Sequence, residues 1–131
     1  MTPLALDTNA YSAFKRGHEA VVDAIARSEL VLLPLPVFAE LRIGFRGGSQ
    51  EARNLRELEQ FLASPRVRLC TLGEHTGILF AEIFGRLRRK GTPIPLNDIW
   101  IASCAMEHGA ILLSADAHFT AIDGLLLNVP L

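Results

Sequence analysis

Several common sources of structure and function are missing from this chain. It has two cysteines, Cys70 and Cys104, and neither belongs to a Cys-x-x-Cys pair. That speaks against a disulfide scaffold and a thiolate zinc site. Both read as buried, reduced thiols. No long apolar run is present. The longest, Leu30 to Ala39, is broken by Pro34 and Pro36 and falls short of the roughly 18 residues of a membrane helix. The first residues, Met1 to Leu6, lack a basic segment, and Asp7 ends their apolar run. The expectation is therefore a soluble cytoplasmic protein with no targeting segment and no membrane partner. Charge of one sign is also lacking. The formal net charge is −1, which at first sight argues against a polyanionic partner. No glycine-rich turn follows the first apolar run, so a dinucleotide-binding turn and a phosphate-binding loop are both disfavoured. Gly44, Gly47 and Gly48 come after a helical segment, which is the wrong context.

What is present is a globular composition. The 131 residues are 50% hydrophobic and 21% charged, which fits a single domain over 1–131 with a real core. Short uniformly apolar runs alternate with helical patterns. Strands are expected at Leu4–Leu6, Leu30–Leu33, Val67–Leu72, Ile111–Leu113 and Leu125–Leu127. Helices are expected at 10–15 and 18–28, and from Pro36 to about Phe45. A further helix capped by Ser49 carries the stripe Ala52, Leu55, Leu58 and Leu62. Next come one with Leu79, Ile83 and Leu87 on a face, stopped by Gly91, and a nearly all-apolar one from Asp98 to Glu107. Strands separated by helices imply βαβ units, hence an α/β fold with a parallel sheet covered on both faces. The order of the strands is not readable from this pattern.

Ligands of open parallel sheets bind beyond the carboxyl ends of the strands. Asp7 directly follows the first expected strand, and Asp116 lies three residues after Leu113. An Asx-turn or a helix cap accounts for either one alone. Glu40 has the apolar neighbours Phe38, Ala39, Leu41 and Ile43 in its helix, with a solvated edge position as the other reading, and Asp98 begins another helix, where the dipole favours an acid in any case. Taken together the four are harder to dismiss. Carboxylates about 4 Å apart repel by roughly 4 kcal/mol per pair near a protein surface. Such a cluster must take up protons or bind a cation. All-oxygen ligands select Mg2+ or Mn2+ over zinc, and phosphodiester hydrolysis uses that arrangement.

The motifs around these acids carry a resemblance. Leu6-Asp7-Thr8-Asn9 resembles the opening motif of PIN-domain nucleases, and Asn97-Asp98-Ile99-Trp100-Ile101-Ala102 their third-acid helix. Ser114-Ala115-Asp116-Ala117-His118-Phe119 resembles the fourth-acid motif, and Ala39-Glu40-Leu41 supplies the second acid. Ser114 stands where that family more often has Thr, and His118 where an acid is common. The length and the order of the acids are similar to those of the VapC toxins of bacterial toxin–antitoxin pairs. The resemblance implies a three-layer α/β/α PIN-like fold with a central parallel sheet. It also implies an Mg2+- or Mn2+-dependent endoribonuclease, a homodimer, and a hetero-oligomer with a VapB-type antitoxin. On that basis Asp7 and Asp98 are the principal metal ligands, and Asp116 completes the site directly or through water. Glu40 holds or deprotonates the attacking water, or binds a second ion. Thr8, Asn9, Asn97 and Ser114 orient the carboxylates.

With the four site acids set aside, the remainder carries +3 in place of −1. RNA then needs to meet only the rim, where Arg42, Arg46, Arg53 or Arg56 could contact phosphates. Solvated helix faces account for these arginines equally well. The run Arg86, Arg88, Arg89, Lys90 fits a helix C-terminus, with RNA or antitoxin contact as the other reading. His118 is either a surface or capping residue or a contact to substrate phosphate. Trp100 reads as core. A receiver-like signalling domain would need an Asp after the third strand, where Leu69-Cys70-Thr71-Leu72 has none. A catalytically silent PIN scaffold that only binds a partner is the remaining alternative; the presence of all four acids speaks against it.

Overall fold

The structure is a computed structural model that describes residues 1–130. Five strands form one sheet: β1 (Leu4–Leu6), β2 (Val31–Pro34), β3 (Val67–Cys70), β4 (Ile111–Leu113) and β5 (Leu126–Asn128). Their order is β3-β2-β1-β4-β5, and all four pairings are parallel. The helices are α1 (Thr8–Lys15), α2 (Glu19–Arg27), α3 (Leu35–Phe45), α4 (Glu51–Ala63), α5 (Glu74–Lys90) and α6 (Leu96–Glu107), with a short 3-10 turn at Ala117–Ala121. The helices flank the sheet in the three-layer α/β/α arrangement.

Why the strands are apolar follows from their place in the sheet. β1 lies in the middle, with Leu4 paired to Val31 on one side and Ile111 on the other. Every residue of β1 and β2 is buried. The edges differ. Arg68 and Leu69 of β3 are exposed, as are Leu126 and Asn128 of β5. An edge strand has only one neighbour, so its side chains reach solvent. The core joins Leu6, Leu33, Leu112 and Leu113 of the sheet to Val21, Val37, Leu58, Ile83, Ile99, Ile101 and Phe119.

From β1 the chain runs outward to β2 and β3, then returns to place β4 on the other side of β1. The strand order therefore reverses between β1 and β4. At such a switch point the loops leaving two neighbouring strands turn apart and leave a crevice.

Several boundaries depart from the sequence reading. Pro34 ends β2 inside the ladder, and α3 starts at Leu35 with Pro36 in its first turn. Ser49 does not cap α4. Gln50 precedes that helix without a side-chain bond, and Glu51 Oε1 accepts from the Gly47 N–H at 3.2 Å. The Glu51 side chain thus closes the preceding turn and does not cap the helix amides. β3 stops at Cys70, two residues early, because Pro34 ends its partner strand. α6 begins two residues before Asp98, after Pro95. Trp100 is half-buried, its ring 4.1 Å from that of Phe80, because α5 covers only one side of it. Gly91 ends α5 at φ +70° with Arg88, Arg89 and Lys90 in the last turn, as expected of a left-handed cap and a dipole-matched cluster. Among the described residues no helix is long and apolar enough to cross a membrane.

Candidate functional site

Asp7 is placed by two local demands. It follows β1, and it is the N-cap of α1, with Oδ1 accepting from the Ala10 N–H at 2.7 Å. An aspartate satisfies one of the free amides of the first turn while its backbone leaves the strand. Its other oxygen, Oδ2, accepts from the hydroxyl of Ser114, which follows β4 and is fully buried. Ser114 Oγ in turn accepts from the Asp116 N–H at 3.0 Å. Thus the two strand ends at the switch point are tied together through Ser114, and Asp116 is fixed relative to Asp7.

Asp116 caps the 3-10 turn, accepting from the His118 N–H at 2.9 Å. Asp98 is the third residue of α6 and projects from its N-terminal turn, where free amides and the dipole favour a carboxylate. His118 bridges the two: its Nδ1 lies 3.1 Å from Asp98 Oδ2 and 3.3 Å from Asp116 Oδ1. Asp98, Asp116 and His118 each present a potential ligand atom, all within 4.8 Å of one another. Asp7 is not in that tight group; its oxygens are engaged by Ala10 and Ser114, but it feels the charges of Asp116 and Asp98. Burial pushes the Asp7 carboxyl up from its ordinary value. The Ser114 and Ala10 hydrogen bonds pull it down, and the negative charges of Asp116 and Asp98 push it up again. Burial also raises Asp98. The His118 hydrogen bond opposes that, the Asp116 charge adds to it, and the His118 charge opposes it.

Glu40 enters from α3. Its Oε1 accepts from Asn97 Nδ2 at 2.5 Å, so the residue before Asp98 holds the second-acid carboxylate. Of the four residues expected to orient carboxylates, Ser114 and Asn97 have partners of that kind. The Thr8 hydroxyl is buried without a protein partner, and Asn9 is exposed. Arg42 and Arg46 are exposed and line a groove between α3 and α4 with Phe38, Ile43 and Leu55. Arg42 lies 5.6 Å above the Phe38 ring. Arg53 reaches Glu57 at 3.7 Å and Lys90 reaches Asp123 at 3.3 Å, so those two cations already have protein partners. Cys70 and Cys104 are buried and free. Burial raises their thiols to about 11 and about 12, which keeps them protonated and unreactive at neutral pH.

The residues fit a divalent cation. Asp98 and Asp116 meet across the switch point with Asp7 beside them, and burial and neighbouring aspartate charge make Asp7 and Asp98 less willing to ionise than an ordinary aspartate. A hard cation relieves both costs. The orphaned Thr8 hydroxyl next to Asp7 leaves a polar group for solvent or ligand at the same strand end. How close His118 comes to Asp98 is barely legible in the sequence. Its only signal was the Asp-x-His spacing, in which the capping aspartate orders the backbone of the residue two ahead.

Comparison with known proteins gives a consistent picture. A model of the PIN domain matches residues 4–125. Ribonuclease VapC5 of Mycobacterium tuberculosis is 24% identical over 125 residues, covering 94% of this chain and 91% of that protein. Ribonuclease VapC4 of the same organism is 29% identical over 83 residues, 63% of this chain and 64% of that protein, just under two thirds of its length. Among solved structures, DNA-bound VapBC from Salmonella typhimurium superposes with a TM-score of 0.86 at 24% identity, over 98% of each chain.

Proposed function

The chain belongs to the PIN-domain family, and from that premise we propose that it is a divalent-metal-dependent endoribonuclease, the toxin of a toxin–antitoxin pair. The observation that carries the reading is the close pairing of Asp98 with Asp116, with Asp7 tied to Asp116 through Ser114, so that two strand-end acids and one helix-end acid gather at the switch point. A silent scaffold would have no need to keep carboxylates together against their repulsion.

Asp98 and Asp116 would hold Mg2+ or Mn2+, with Asp7 ligating or orienting beside them. The bound cation supplies an activated water and offsets charge on the leaving oxygen. The chain's own groups do the rest. Ser114 holds the Asp7 carboxylate through its hydroxyl and the Asp116 backbone through its Oγ, and the His118 N–H orients the Asp116 carboxylate, so the acids are positioned before RNA arrives. Glu40, steered by Asn97, accepts a proton from the attacking water. Arg42 and Arg46 meet backbone phosphates on the rim. These cations are exposed and few, in keeping with a contact set by the crevice more than by net charge.

The VapC names of the two relatives and the VapBC complex of the Salmonella structure support a VapB-type antitoxin as partner; we further propose a homodimer within the toxin–antitoxin hetero-oligomer. Light scattering of the chain, alone and co-expressed with the product of an adjacent reading frame, checks both. The activity is tested by cleavage of a labelled RNA pool by antitoxin-free protein. Cleavage is expected to require Mg2+ or Mn2+, to stop with chelator, and to fall by a factor of a hundred or more, on the order of 3 kcal/mol, in Asp98→Asn with the fold unchanged by circular dichroism. A folded Asp98→Asn protein that cuts at the wild-type rate would remove the assignment.

A further inference from the structure

One nitrogen faces the carboxylate pair. His118 Nδ1 is 3.1 Å from Asp98 Oδ2 and 3.3 Å from Asp116 Oδ1. Its ring is half-exposed, yet its place is fixed from the backbone, since Asp116 Oδ1 accepts the His118 N–H at 2.9 Å. A carboxylate offered to a cation thus also sets where the imidazole stands. Adjacent ligands of an octahedral ion with bonds of about 2.0–2.1 Å lie about 3 Å apart. Both measured separations are close to such an edge, and all three residues offer atoms within 4.8 Å of each other.

We propose that His118 Nδ1 is a ligand of the cation held by Asp98 and Asp116, and that it makes the site select Mn2+ over Mg2+. The inference rests on the carboxylate-site reading above. Its chemical basis is ligand softness. Mg2+ is a hard ion that prefers an all-oxygen shell and gives up water reluctantly. Imidazole nitrogen favours first-row transition ions, and Mn2+ accepts mixed oxygen and nitrogen shells more readily than Mg2+ does. Ligation through Nδ1 requires the neutral tautomer with its proton on Nε2. The competing role for this ring is a hydrogen bond that merely aligns Asp98 and Asp116. That role is blind to the identity of the ion, so its loss would weaken Mg2+ and Mn2+ alike.

The test uses the full chain stripped of metal, as wild type, His118→Asn, His118→Asp and Asp98→Asn, each checked for folding by circular dichroism. Calorimetry measures Mn2+ and Mg2+ affinities, and pulsed electron paramagnetic resonance of one equivalent of Mn2+ reads coupling to nitrogen. Wild type should show nitrogen coupling, lost in both His118 variants. His118→Asn should lower the Mn2+-to-Mg2+ affinity ratio by about tenfold or more, and His118→Asp should move the preference toward Mg2+. Bound Mn2+ without nitrogen coupling in wild type, coupling that persists in His118→Asn, or an equal loss for both ions overturns the inference and leaves the carboxylate site standing. Failure of wild type to bind either ion, or binding untouched by Asp98→Asn, overturns both.

Discussion

At the scale of single residues, Asp7 does two jobs that pull against each other. As a helix cap and Ser114 acceptor it is well bonded, while burial and the neighbouring aspartates resist its charge. Its folded pKa lies above the ordinary value of 3.8. The folded state therefore binds more protons than the unfolded state between those two values. Its contribution to stability rises as pH falls through the raised folded value and is fully present below the unfolded one. In metal-free protein, Asp7→Asn keeps a good cap and removes the charge. The variant should be more stable than wild type at pH 7, with the advantage shrinking as the pH is lowered toward 4. Urea unfolding of both proteins across that range, in chelator, checks this; an advantage that grows on acidification would contradict the sign. Asp98 is raised for a similar reason, so the wild-type curve reflects both groups, and the difference between the two proteins reports Asp7 together with its coupling to Asp116 and Asp98.

At the scale of elements, the ends of helices and strands decide where chemistry sits. α1 and the 3-10 turn start on aspartates that cap them, and α6 carries Asp98 in its first turn. Each acid has a local structural reason, which is why none of them is diagnostic alone. α5 ends with Gly91 at φ +70° and no atom within 4 Å of where a Cβ would stand. Space does not forbid a side chain there, but the backbone does. Gly91→Ala should cost about 1 kcal/mol, read as a lower midpoint in urea with cleavage unaffected, because the turn lies outside the acid cluster. The Asn97–Glu40 bond links α6 to α3. Asn97→Ala should leave stability within about 1 kcal/mol, since Glu40 is only half-buried, and should reduce cleavage by about tenfold or more. An unchanged rate would show that Glu40 needs no steering.

At the scale of the whole molecule, the reversal of strand order between β1 and β4 gathers residues separated by more than a hundred positions, Asp7 and Ser114 among them. A cation bound across that seam joins β1, β4 and α6, and ties binding to folding. At a hundredfold excess over its Kd, an ion that binds only the folded state adds about 2.7 kcal/mol. The melting temperature should rise by several degrees on adding Mn2+ to stripped wild-type protein and stay put in Asp98→Asn. An equal rise in the variant would place the ion elsewhere. Because a cation bound there would also relieve repulsion at Asp7, the advantage of Asp7→Asn at pH 7 should vanish or reverse in saturating Mn2+.

The parallel α/β class is legible in the sequence alone, because runs such as Leu4–Leu6 and Ile111–Leu113 are apolar on both faces and alternate with helical periods. The sequence also marked the four acids, through the motifs that surround them. It misplaced Ser49 as a cap and read Trp100 as core, since capping and burial at those positions depend on what the neighbouring turn and α5 provide. The strand order, and with it which strand ends lie side by side, emerges from the folded chain. The folded chain also decided that Ser114 binds Asp7, that Asn97 binds Glu40, and that the His118 ring comes to Asp98. The physical reason is range. Periodicity and capping are set by residues within a few positions and are written locally, whereas contacts across a sheet depend on the path of the whole chain.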